Sequence, residues 1–97
     1  MGRTTRVIEM VDSLLKMAVA FHRSPNAVLE IYVRTLICPE YLFNKSKVDN
    51  IAKKHGQQII MTAKKFAEEG IYSFGTLIPL VTNVFIFVEY LEKMKKG

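Results

Sequence analysis

An all-α fold, a compact bundle of about four helices, is what this sequence predicts, and three observations predict it. Apolar residues recur at helical spacing in four stretches. Residues that start and stop helices bracket those stretches: Ser24 and Pro25, Pro39, Ser46 and Gly70. The connections between them are short, which favours antiparallel neighbours in a bundle.

The first stretch runs over 4–22. Val7, Ile8, Met10, Val11, Leu14, Leu15, Met17, Ala18 and Phe21 fall on one side of a helical wheel, with Arg6, Glu9, Asp12, Ser13 and Lys16 on the other. This is an amphipathic helix laid against a core. The second, 25–38, has Ser24 as N-cap and Pro25 at the first helical position, where its missing N–H costs nothing, and closes before Pro39. Its apolar residues nearly encircle the wheel, with Val28, Leu29, Tyr32, Val33, Leu36 and Ile37 in one arc and Ile31 and Cys38 opposite. That makes it, with the fourth helix, an expected centre of the bundle. The β-branched run Ile31, Val33, Thr35 and Ile37 is also compatible with a strand, but the capping residues favour a helix.

The third helix is expected over 46–69, headed by Ser46 with Asp49 three residues on as a weak capping box and stopped by Gly70. Val48, Ile51, Ala52, Ile59, Ala63 and Phe66 share a face, joined by His55 and Thr62, so the register holds across Gly56. One long helix follows, with Gly56 expected to permit close packing. The fourth is expected over 76–95, with Pro79 tolerated in its first turn.

That fourth segment lies in a stretch without charge from Ile71 to Tyr72 and on through Val88, long enough to raise a membrane anchor. Its pattern is two-sided, however. Leu77, Ile78, Leu80, Val81, Val84, Phe85, Phe87, Val88 and Leu91 form one arc, and Thr76, Pro79, Thr82, Asn83, Glu89, Tyr90 and Lys93 the other, with Ile86 the apolar exception. A lone lipid-exposed helix is apolar all round, so a core helix is the better reading and a membrane partner the weaker one.

With 49% hydrophobic and 24% charged residues, the chain is expected to fold rather than remain disordered, as one helical domain over 1–97. The single cysteine, Cys38, allows no intramolecular disulfide, and the N-terminus lacks a secretory profile, so a cytoplasmic location is expected. A net charge of +5 favours anionic partners.

The third helix carries the clearest biased surface. Lys53, Lys54, Lys64 and Lys65 project opposite Val48 and Phe66, with Gln57 and Met61 between them. Lysine pairs eleven residues apart lie along nearly one line of a helix, about 16 Å apart. That spacing suits a nucleic-acid backbone, where lysine contributes charge without reading bases. Arg3 and Arg6 are expected auxiliaries, and Lys45 and Lys47 add to the positive field. With no aromatic between the lysines, stacking on single strands is not suggested. A merely solvated lysine face is the plainer alternative. A second functional class is an accessory subunit or adaptor that docks an apolar helix face on a protein partner or a second copy.

Catalysis and cofactors find no motif. His22, Cys38 and His55 lie in three separate segments without the close pairs of a zinc site, so no metal is expected. The sequence has no serine elbow and no phosphate-binding glycine loop.

Two short resemblances complete the reading. "IAKKHGQQIIMTAKKF" resembles a helix-turn-helix in the spacing of Ala52 and Gly56, but has His55, Gln57, Thr62 and Lys65 where that family wants apolar residues. Residues 3–36 are similar to ribbon-helix-helix proteins, in which "GRTTR" would be the groove-entering strand, with His22 where a glycine is usual. A plain helical hairpin explains the same residues.

Overall fold

In the computed structural model, which describes residues 2–35 and 43–96, the chain forms four α-helices and, among the described residues, no strand. They are α1 (Arg3–Phe21), α2 (Pro25–Thr35), α3 (Lys45–Ala67) and α4 (Phe74–Lys96). The expected continuation of α2 over 36–38, with Cys38, lies outside the described residues.

Local chemistry explains the helix ends. Phe21 is followed by His22 in the left-handed region (φ 53°), whose N–H donates to the Val19 carbonyl while the Arg23 N–H reaches back to Ala18 at 3.0 Å. These are the two bonds of a Schellman termination, with histidine in the place glycine usually takes. The Ser24 hydroxyl then accepts the Ala27 N–H at 3.2 Å and starts α2 as expected. The third helix begins earlier than its expected cap. Asn44 accepts the Lys47 N–H at 2.9 Å, which puts Ser46 inside the first turn. Asparagine satisfies the orphan donors as well as serine does, so the cap moved to the first suitable residue. α3 ends at Ala67, and Gly70 turns the chain at φ 83°.

α4 also starts early. The Ser73 hydroxyl accepts the Thr76 N–H at 3.3 Å and the Ser73 carbonyl accepts the Leu77 N–H at 3.1 Å, so helix begins at Phe74 and Pro79 stands past the first turn. The "GRTTR" segment is helical from Arg3, which removes the strand on which the ribbon-helix-helix resemblance depends.

The centre of the bundle is α4, which packs on α3, α1 and α2. Leu77, Leu80, Val81, Val84, Phe85 and Phe87 are fully buried, and Ile86 and Thr82, expected on its outer side, are buried as well. The Thr82 hydroxyl donates to the Ile78 carbonyl at 2.8 Å, so its burial leaves no unsatisfied polar group. α2 does not share the centre: Ile31 and Tyr32 remain 48% and 41% exposed, and only Pro25, Val28, Leu29 and Val33 are buried among its residues. Three helices around one shield more of that helix than a square arrangement would, which is why α4 buries Ile86 and Thr82 beyond its expected inner arc. It is also the one described helix long and apolar enough to cross a bilayer, and half of that stretch is buried inside the fold.

Candidate nucleic-acid interface

The outer face of α3 arises from its inner one. Ile51, Ile59, Thr62, Ala63 and Phe66 are buried, and this fixes the helix rotation so that Lys53, Lys54, Gln57, Lys64 and Lys65 all face solvent. Ile60 and Met61 stand among them, 45% and 65% exposed.

The line joining the two lysine pairs is not straight. His55 departs from helical geometry (φ −127°, ψ 20°), so α3 is two helical segments meeting at a kink between Lys53/Lys54 and Lys64/Lys65. The unbroken helix expected from the register is therefore bent. Gly56, expected to allow close packing, meets nothing: a Cβ built there finds no atom within 4 Å. The His55 ring, at the kink itself, has partners on two other helices. It lies flat on Phe85 of α4, with centroids 5.1 Å apart and planes 13° from parallel, and its Nε2 is 3.3 Å from Arg3 Nη1.

Arg3 is committed elsewhere than the lysine face. Its Nε and Nη2 donate to Glu92 Oε2 at 3.0 and 2.7 Å, and its Nη1 donates to Glu89 Oε2 at 3.3 Å. The Glu92 hydrogen bond raises the arginine pKa above its ordinary value, partial burial opposes this, and the charges of Glu92 and Glu89 add to it. The guanidinium thus joins α1, the α3 kink and the end of α4. Arg6 is exposed and faces the valley between α1 and α4, beside Leu91, Met94 and Lys95.

Basic side chains divide into two classes. Arg3, Lys16, Arg34 and Lys93 have carboxylate partners, whereas the lysines of α3, together with Arg6, Arg23 and Lys95, are in no ion pair among the described residues. Lys65 makes one further contact, its Nζ lying 5.0 Å from the Phe66 ring centroid. With six lysines and one acid, Asp49, α3 carries a net positive charge, and Glu68 and Glu69 follow its C-terminal end.

Sequence reasoning missed Lys93. It lines, with Lys47, Asn50, Lys54 and Tyr90, a cleft of about 200 Å³ between α3 and α4, in which Glu89 holds the Lys93 ammonium at 3.5 Å. The lysine-rich end of the chain hinted at it, but the pairing of α3 with α4 was needed to place it. Among the described residues, no three potential metal ligands come together. No family model, curated protein or solved structure matches this chain.

Proposed function

We propose that this protein binds the phosphate backbone of nucleic acid, without reading sequence, through the outer face of α3. The observation that carries this reading is the concentration of unpaired charge on one helix: Lys53, Lys54, Lys64 and Lys65 are exposed and, among the described residues, in no ion pair, while Arg3, Lys16, Arg34 and Lys93 have carboxylate partners. Free ammonium groups release condensed counterions when they meet phosphates, and that release drives non-specific binding. Gln57 supplies a neutral donor between the two lysine pairs. Arg3, held by Glu92 and Glu89, contributes to folding rather than to the contact surface.

The test is fluorescence anisotropy with labelled duplex DNA, single-stranded DNA and RNA at two salt concentrations, for the native chain and for a Lys53→Glu/Lys54→Glu/Lys64→Glu/Lys65→Glu variant. Binding that weakens steeply with salt and is lost in the variant is the expected result. Equal binding by the variant overturns the reading, as does binding to anionic lipid vesicles with none to nucleic acid, since Ile60 and Met61 would then be the contact residues.

A further inference from the structure

On the side of the molecule formed by α1, α2 and the end of α4, two valleys of about 540 and 480 Å³ share Met17 and Tyr32, and the first continues past Arg6 and Leu91 to Met94. They form one groove along α1 from Arg6 to Phe21, about 22 Å at the rise of a helix. Its lining is apolar and soft. Met10, Met17 and Met94 contribute three of the five methionines of the chain, and Phe21 and Tyr32 stay 65% and 41% exposed. Thioethers repack readily around different apolar side chains, which suits a surface that receives a helix.

We propose that this groove receives an acidic amphipathic helix of a partner protein. The argument for its chemistry is the rim. Arg6 and Lys95 stand at one end and Arg23 at the other, all exposed and in no ion pair among the described residues, against one acid, Glu9, on the wall. A partner helix with leucine-like residues on one face and carboxylates flanking them meets both the floor and the rim. A second copy of this chain is disfavoured, because each copy carries a net charge of +5 and would bring cation to cation at that rim. The length matches a helix of about 15 residues. This gives a chemical identity to the docking role that the sequence leaves open, and it is independent of the α3 reading because the two surfaces share no residue.

The methionine methyl groups make the test internally controlled. The full chain, labelled at its methionine methyls, is titrated in an NMR experiment with a synthetic peptide of about 15 residues carrying leucine on one helical face and glutamate on the other. Shifts at Met10, Met17 and Met94 with Met61 unmoved are expected, together with affinity at least about tenfold weaker for an Arg6→Glu/Arg23→Glu variant. A matched peptide with lysine in place of glutamate should bind correspondingly less. Both arginines are exposed, so the variant should fold, and a native helical spectrum checks that it does. Movement of Met61 alone overturns the proposal, because the peptide is then on the lysine face. So does the absence of any shift. Concentration-dependent shifts of the groove methyls without peptide, with a dimer in sedimentation equilibrium, overturn it in favour of a second copy.

Discussion

Arg3 and Glu92 stand 89 residues apart and meet through two hydrogen bonds to one carboxylate oxygen, Nε at 3.0 Å and Nη2 at 2.7 Å. The arginine begins α1, the glutamate lies near the end of α4, and Glu89 and His55 close around the same guanidinium. With about a third of the arginine side chain and a quarter of the glutamate exposed, the pair is shielded more than an ordinary surface pair. Arg3→Met should lower stability by about 1–2 kcal/mol, read from the urea midpoint at constant slope. A raised arginine pKa in the folded state means stability that is present below the unfolded value and lost only as pH climbs past the folded one. Both lie in strong alkali, so the loss on Arg3→Met should be the same at about pH 7 and pH 9. A marked pH dependence over that window would show that another group carries the effect.

Arginine can only donate, so the contact between Arg3 Nη1 and His55 Nε2 makes Nε2 the acceptor. In the neutral ring the proton must then sit on Nδ1. Long-range proton–nitrogen correlation spectra should report that tautomer for His55, and should report the ordinary mixture in Arg3→Met. An Nε2–H tautomer in the native chain would mean the contact does not form in solution.

Two glycines should respond oppositely to alanine. Gly56 is helical and a Cβ there meets open space, so Gly56→Ala should stabilise by roughly 0.5–1 kcal/mol. Gly70 sits at φ 83°, where a side chain is strained, and Gly70→Ala should destabilise by about 1 kcal/mol. Thermal melts of both variants decide this; a destabilised Gly56→Ala would show that another element does approach that face.

His22 terminates α1 in a conformation that glycine adopts without strain. His22→Gly should therefore raise the urea midpoint by the equivalent of up to about 1 kcal/mol. An unchanged or lower midpoint would mean that the imidazole makes a compensating contact.

On the α3 face, the slope of log affinity against log salt should fall by about 0.9 for each lysine that contacts a phosphate. Single substitutions of Lys53, Lys54, Lys64 and Lys65 by alanine, measured on duplex DNA, test this one by one. Arg3→Met should leave the slope unchanged, which separates the folding arginine from the binding lysines.

The four helices were legible from apolar spacing, because a residue's neighbours at i+3 and i+4 are set within the segment itself. So were the Ser24–Pro25 start of α2 and the solvent face of α3, since burying Ile51, Ile59 and Phe66 turns the lysines outward. Tertiary structure decided the rest. That α4 alone is central depends on which helices surround it, and no wheel contains that information. The stacking of His55 on Phe85 at the kink and the fate of Arg3 at Glu92 involve partners brought together only by packing of distant parts of the chain. The groove beside α1 has the same origin: three helices each contribute one wall, so its continuity is a property of their packing and of none of their sequences alone.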